Sequence, residues 1–240
     1  MNRYPDGVKL PSLSERMTRI EDMAGRCRCV ADIGTDHGLI PIYMVLSGIA
    51  ESAVLTDIAR GPLKRASENV VKYAGSEDDQ RFSLRLGAGL ETLEENEADV
   101  IIIAGMGGET IYGILEADPA KARSAKRLVL QPRTMCAELR KWLVSNDYSI
   151  TDECLAEENG HIAQMLHVVP GASENDEVFE NEIDLDVPPL LFRKRDPLLG
   201  AYIDLLIRRT ESVLTNIAHA SSGNEEYWQN RLNGLKRLKP

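Results

Sequence analysis

Cysteine is scarce in this chain and nowhere paired. Cys27, Cys29, Cys136 and Cys154 show no C-x-x-C spacing, which argues against a zinc site, a redox dithiol or a disulfide frame and leaves ordinary thiols. Long apolar runs are also missing. The longest near the N-terminus, residues 39–50, is interrupted by Pro41 and Gly48 and is too short to span a bilayer. No basic segment leads into a cleavable apolar stretch at Met1, so a cytoplasmic protein with no membrane partner is expected. Internal repeats and low-complexity tracts are absent, and no Cys, Lys or His stands in an arrangement that demands a covalent nucleophile or a metal. Positive charge is in deficit, the net being -10, but unevenly so. Residues 1–28 carry six Lys/Arg against four Asp/Glu and residues 193–240 nine against five, so the middle holds -16. An acidic body with basic ends can still meet a polyanion through those ends.

What is present is an alternation of strand-like and helical segments. With 240 residues and 43% hydrophobic content, the chain has room for one full α/β domain and an appendage. Ser12 and Glu15 make a capping-box pattern, and Leu13, Met17, Ile20 and Met23 follow at helical spacing, predicting a helix whose polar face carries Arg16 and Arg19. Strand-like runs recur at 29–33, 53–56, 82–86, 100–104 and 128–130, separated by helical stretches, most clearly 62–73, 109–115 and 135–146. Strands this apolar predict a parallel sheet covered on both faces, and Pro41 and Pro62 suit the first turns of helices. The pattern then changes. Segments 148–156 and 162–169 follow one another with no helix between, joined through Glu158-Asn159-Gly160-His161, and Asn-Gly between such runs signals a hairpin. The expected architecture is α/β: a Rossmann-like seven-strand sheet, parallel with a C-terminal antiparallel hairpin, over residues 1–170. Residues 171–192 read as an acidic linker. Residues 193–240 read as two antiparallel helices, a helical hairpin or coiled coil, broken at Ser221-Ser222-Gly223. That tail suits a polyanion-docking arm, a dimer surface or a lid, and periodicity does not choose among them; monomer and homodimer both stay open.

A parallel sheet binds its ligands beyond the carboxyl ends of its strands, so the residues just after each strand matter most. After the first comes Asp32-Ile33-Gly34-Thr35-Asp36-His37-Gly38. A dinucleotide fingerprint would place glycine where Asp36 stands. A carboxylate there repels a diphosphate but suits a phosphate-free cofactor bearing an ammonium and a sulfonium, as S-adenosylmethionine does. Gly34 and Gly38 allow close approach of the cofactor, with Asp32 and Thr35 beside them. Asp57, about 20 residues on, stands where an acidic side chain accepts ribose hydroxyls, followed by Ile58; it could equally cap the next helix. Gly87-Ala88-Gly89 makes a turn expected beside the adenine. Ala104-Gly105-Met106-Gly107-Gly108 precedes a helix, and three glycines there, each costing roughly 0.5–1 kcal/mol relative to Ala, suggest approach of a base or of the transferring methyl. Gln131-Pro132-Arg133 adds an amide and a guanidinium at the same rim.

The set formed by Asp32-Ile33-Gly34-Thr35-Asp36-His37, Gly87-x-Gly89-Leu90, Ile103-Ala104-Gly105-Met106-Gly107-Gly108 and Leu130-Gln131-Pro132, followed by a helical tail, resembles the bacterial tRNA (adenine-22, N1) methyltransferase family. The match covers residues 12 to 170 well and the tail loosely. It implies S-adenosylmethionine as cofactor, methylation of N1 of an adenine in the tRNA D-arm region, and a C-terminal coiled-coil pair that helps position tRNA. Ala88 stands where many relatives carry an acidic residue and Arg133 where some carry Asn. The resemblance places Asp32, Gly34, Thr35, Gly38, Asp57, Ile58, Gly87, Ala88, Gly89, Ala104 and Gly105 at the cofactor, and Met106, Gly107, Gly108, Gln131 and Arg133 at the acceptor base. Position in the loop makes Asp36, then His37, the candidate for stabilising the methylated ring or taking its N6 proton. Arg16, Arg19, Arg26 and Arg28 are expected at the mouth of the site to contact RNA, with Arg193, Lys194 and Arg195 before the tail. Competing readings are a methyltransferase of the same fold acting on a small molecule or protein, and a non-catalytic cofactor-binding protein.

Overall fold

The first helix, α1 (Glu15–Ala24), begins at Ser14, whose hydroxyl accepts the Met17 N–H at 3.4 Å. The Ser12 start is thus two residues early. Glu15 is the first helical residue, so it cannot reach back as the acidic partner of a capping box. The computed structural model describes residues 9–76, 78–172, 178–220 and 225–239, and the chain divides into two units, Met1–Asp176 and Glu177–Pro240.

In the first unit, β1 (Cys27–Ile33), α2 (Leu39–Leu46), β2 (Ala50–Asp57), α3 (Arg60–Ala74), β3 (Phe82–Leu86), β4 (Val100–Gly107), α4 (Gly108–Ala117), α5 (Pro119–Ser124), β5 (Arg127–Thr134), α6 (Cys136–Ser145), β6 (Tyr148–Glu158) and β7 (His161–Pro170) follow in order. The seven strands lie as β3-β2-β1-β4-β5-β7-β6. Those from β1 to β5 pair in parallel, and β7 runs antiparallel to both β5 and β6. At the hairpin turn Asn159 and Gly160 take φ of 52° and 76°, the left-handed pair that a two-residue turn of matching twist requires. The extra helix α5 starts from Asp118, whose carboxylate accepts the Lys121 N–H, with Pro119 in its first turn.

The strands are apolar on both faces because helices cover both. Ile20, Ile42, Met44, Ala66 and Val70 of α1, α2 and α3 share one core with Val30, Ile102 and Val129. The alternate residues Ala31, Ile101, Ile103, Leu128 and Leu130 are also buried, and alternation along a strand turns them to the opposite face, where Ile111 and Leu115 of α4 and Leu139 and Leu143 of α6 supply buried apolar groups.

The second unit contains α7 (Glu182–Asp186), α8 (Pro189–Arg193), α9 (Leu199–Ala220) and α10 (Glu225–Leu238). The expected linker is therefore partly helical. Asp186 accepts a two-pronged bond from Arg231, 2.7 Å on each oxygen, and its carbonyl accepts the Tyr202 hydroxyl, so the acidic stretch is tied to α9 and α10 at its Asp186 end. The helices α9 and α10 run antiparallel, with Lys236–Glu211 and Lys239–Asp204 ion pairs of 2.9 and 2.8 Å. The break at Ser221-Ser222-Gly223 lies outside the described residues. Among the described residues, no helix is long and apolar enough to cross a membrane.

Candidate active site

The loops leaving the parallel strands meet at one rim of the sheet. In the first, the N–H groups of Gly34 and Thr35 both donate to the Thr56 carbonyl of β2, at 2.8 and 2.9 Å, and Gly38 donates to Thr35. This tight turn leaves the Asp32 carboxylate only 7% exposed, where it accepts the Thr35 hydroxyl at 2.7 Å. Burial pushes the carboxyl up to about 6; the Thr35 bond opposes the rise, the Asp57 carboxylate adds to it and Arg16 opposes it. An ionised carboxylate offers about four acceptor sites. Among the described residues, Asp32 fills one of them.

Asp36 and His37 occupy the outer lip of the same loop. Asp36 is left-handed, with φ of 43°. Its carboxylate is ion-paired with Arg65 of α3, and His37 Nε2 lies 3.5 Å from it. The discriminating aspartate of the sequence therefore faces outward to an arginine, while Asp32 is the carboxylate turned inward.

After β2, Asp57 accepts the Ala59 N–H at 2.8 Å, a bond within the turn before α3 and not a cap on a helical N–H, since α3 starts at Arg60 with Ala59 as its N-cap. That bond occupies one oxygen, and the side chain remains half-buried beside Ile58, which is 75% exposed. The third loop is joined to this one by the Gly87 N–H, which donates to the Asp57 carbonyl at 3.0 Å. There the Ala88 N–H donates to Glu91 Oε1 at 2.5 Å, placing a carboxylate against Gly87-Ala88-Gly89. The sequence alone does not single out Glu91; its signal is an acidic residue three positions beyond Ala88, close enough to fold back.

The fourth and fifth loops form a β-bulge. Ala104 pairs with Gln131 and Met106 with Pro132, leaving Gly105 over. Pro132 has no N–H to give the ladder, and Gly105 takes φ of 78°. The Gly105 N–H instead donates to Gln131 Oε1 at 3.1 Å. Gln131, buried, also accepts Arg16 Nη1 at 3.3 Å and donates from Nε2 to the Pro132 carbonyl at 3.0 Å. A Cβ on Gly105 would meet nothing within 4 Å, so the rim is open there. Gly107 and Gly108 differ, and for Gly108 packing alone explains the glycine. A Cβ on Gly108 would collide with the Met135 carbonyl oxygen, and one on Gly107 would stand 3.2 Å from Thr134 Oγ1. The start of α4 thus abuts the β5–α6 turn. The Met106 methyl lies over Gly34, and Arg133 is exposed at the same rim.

The expected RNA-facing arginines separate. Arg16 lies at the rim, its Nε donating to Glu158 Oε2 at 2.7 Å, and Arg19 is exposed beside Glu15. Arg26 and Arg28 are not at the mouth. They stand at the start of β1, a seven-residue strand and so roughly 20 Å from its carboxyl end. There Arg26 donates to the Gly48 carbonyl and Arg28 to those of Asn96 and Glu97. Arg193, Lys194 and Arg195 belong to the second unit, at the end of α8.

These features suit S-adenosylmethionine. Asp32 offers unfilled acceptor capacity for an ammonium, Asp57 a carboxylate for ribose hydroxyls, Ile58 an exposed apolar face for a purine, and Gly105 clear space for the reacting centre. Residues 13–166 match the model of a methyltransferase domain family. The chain is 32% identical over 212 residues to the tRNA (adenine(22)-N(1))-methyltransferase of Bacillus subtilis (strain 168), covering 87% of each. Sp1610 of Streptococcus pneumoniae, solved in complex with S-adenosyl-L-methionine, superposes with a TM-score of 0.83 at 26% identity, over 95% of this chain and 100% of that one. M. capricolum TrmK, solved with S-adenosyl-homocysteine, superposes with a TM-score of 0.74 at 25% identity, over 94% and 96%. With the rim geometry and these matches together, the chain belongs to the tRNA (adenine(22)-N(1))-methyltransferase family.

Proposed function

We propose that this protein transfers the methyl group of S-adenosylmethionine to N1 of adenine 22 in tRNA, in the cytoplasm. The observation that carries the reading is Asp32, a nearly buried carboxylate with one hydrogen bond among the described residues, at the carboxyl rim of a chain in this family. When bound, the cofactor supplies an electrophilic sulfonium methyl. Asp32 receives its ammonium within the turn closed by Gly34, Thr35 and Gly38. Asp57 receives the ribose hydroxyls, Ile58 covers one face of the adenine, and Gly87, Ala88 and Gly89 with the Glu91 carboxylate meet its edge. Ala104 and Gly105 leave room for the reacting centre. Met106, Gln131 and Arg133 line the side on which the acceptor base enters, while Gly107 and Gly108 keep that wall in place by packing.

N1 lies on the Watson–Crick edge, so the base must be unpaired or extruded before it reaches this rim. The chain then works by positioning and by excluding water. Methylation makes the ring cationic, and Asp36 with His37 is assigned to stabilise that charge or take the N6 proton. The Arg65 ion pair competes for the Asp36 carboxylate, so this role requires the pair to open as the base arrives. Catalysis is assigned to residues 1–170 and tRNA positioning to the helices of 193–240. The test is incubation with labelled S-adenosylmethionine and bulk bacterial tRNA, then primer extension, which stops at a base methylated on N1. A stop at nucleotide 22 of the tRNA is expected, and it should vanish in a transcript that carries guanine in place of that adenine. Label at another nucleotide, or in a protein or small molecule, would replace the reading with one of its competitors.

A further inference from the structure

We propose that Arg16 is a positioning residue for methyl transfer, acting through Gln131 on the β4 bulge, and not a contact to RNA phosphate; this deepens the reading above and rests on it. An arginine that grips phosphate holds its fork outward in solvent. Arg16 is folded inward, with 20% of its side chain exposed, and its charge is matched by Glu158 at 2.7 Å. Burial would raise the Glu158 carboxyl, but the Ser14 hydroxyl and Arg16 outweigh it and hold the group below the ordinary range. Glu158 therefore stays ionised near neutral pH and, at the hairpin tip, fixes the guanidinium beside Gln131.

Gln131 explains why that fixing matters. Its oxygen receives two donors, Gly105 N–H and Arg16 Nη1, while its nitrogen donates to the Pro132 carbonyl. Only one orientation of the amide satisfies all three. Gly105 is the residue left over where β4 loses register against β5, so its N–H has no place in the ladder and is held by this side chain. Ala104 and Met106 flank the bulge at the rim. Residues 16, 105, 131 and 158 lie on four different elements and converge on one left-handed glycine. Bulges re-aim side chains next to active sites, and this one is held in shape by a side-chain chain that starts at Arg16. Loss of Arg16 frees the amide to rotate and loosens the bulge between cofactor and base.

The full-length protein is assayed as Arg16→Ala, Gln131→Ala and the double variant. Arg16→Ala is expected to lower kcat about 10- to 100-fold, with KM for tRNA, its salt dependence and the affinity for S-adenosylhomocysteine each within about threefold of wild type. The double variant should be no worse than the poorer single one, because both act through one chain of contacts. Arg16→Lys, which keeps charge but not the fork, should not restore kcat. A tenfold rise in KM with kcat kept and a flatter salt dependence would mean phosphate contact and overturn the proposal, as would multiplicative losses in the double variant. Amide exchange of Gly105, followed by NMR, supplies a readout independent of turnover. It should accelerate about tenfold or more in both single variants while the remaining spectrum is kept; unchanged exchange overturns the proposal. If wild-type enzyme leaves adenine 22 unmethylated, the functional reading falls, and the exchange result still decides the Arg16–Gln131–Gly105 coupling.

Discussion

Two aspartates on neighbouring strands mark the two ends of the sheet. Asp32 stands at the carboxyl end of β1 and Asp99 immediately before β4, at the amino end, and they are similarly hidden, at 7% and 9% exposure. Their surroundings are opposite. Asp99 accepts the Arg28 N–H at 2.8 Å and faces Arg28 and Lys126 at 3.7 and 3.3 Å. Burial would raise its carboxyl, but the Arg28 backbone bond and the two cations bring it below the ordinary range. Among the described residues, Asp32 has Thr35 alone as hydrogen-bond donor, and burial raises its carboxyl to about 6. A hidden charge that is fully provided for belongs to the structure, whereas one left short marks a place where something charged is to bind.

The largest expected effect follows from removing the charge left short. Asp32→Asn should weaken S-adenosylhomocysteine binding by about 100-fold, the scale of one hydrogen bond to a charged group, measured by calorimetry. Its melting temperature at pH 7 should not fall, because a poorly provided carboxylate has been replaced by a neutral amide. A lower melting temperature with unchanged affinity would make Asp32 structural and dissolve the contrast with Asp99.

The same carboxyl gives a pH dependence of the next size. Because its folded value lies above the ordinary one, the ligand-free folded protein holds the proton more tightly than the unfolded chain does. That contribution to stability is present below about pH 4 and is lost as pH rises through about 6. The ammonium requires the ionised form, so affinity should weaken below pH 6, by up to tenfold per pH unit. Calorimetry between pH 5 and 8 on wild type and Asp32→Asn isolates the effect. A wild-type profile as flat as that of the variant would remove Asp32 from the binding site.

The rim is legible in the sequence because a parallel sheet carries its ligands at its strand ends, and the Asn159-Gly160 hairpin identifies the antiparallel close of that sheet. The failures share a physical origin. Nearness in sequence to the glycine loop suggests Arg26 and Arg28 at the mouth, yet a strand carries its two ends far apart, and these residues begin the strand whose end holds the site. The ion pairs Asp36–Arg65 and Arg16–Glu158, and the bond from the Ala88 N–H to the Glu91 carboxylate, are contacts that periodicity does not encode. Gly107 and Gly108 suggest room for a base, but the nearer neighbour is the backbone and side chain of the β5–α6 turn. The acidic stretch before α8 reads as a linker because the partner of Asp186, Arg231, lies 45 residues on.

At the well-provided end the expected result is inverted. Asp99→Asn loses the ionic contacts to Arg28 and Lys126, both largely exposed, and weakens a backbone bond. A cost of about 1–2 kcal/mol is expected, or roughly 2–8 °C in melting temperature for a chain of this size. Affinity for S-adenosylhomocysteine should stay within about twofold. A loss of affinity comparable to that of Asp32→Asn would mean that the two ends of the sheet are not functionally separate.

The smallest effect concerns Glu91, which lies between these extremes. One of its oxygens is occupied by the Ala88 N–H, while the other, which has no hydrogen-bond partner among the described residues, can accept an exocyclic amino group at the edge of the adenine. Glu91→Gln can keep the bond to Ala88 but replaces the second acceptor with a donor. Binding of S-adenosylhomocysteine should therefore weaken only about two- to fivefold, with no change in melting temperature. The sharper readout is S-inosylhomocysteine, which carries a carbonyl where adenosine carries the amino group. Wild type should favour the adenosine compound, and Glu91→Gln should narrow or reverse that preference, since its amide can donate to the carbonyl. If discrimination is unchanged, Glu91 only holds the turn and joins Asp99 among the carboxylates that serve the fold.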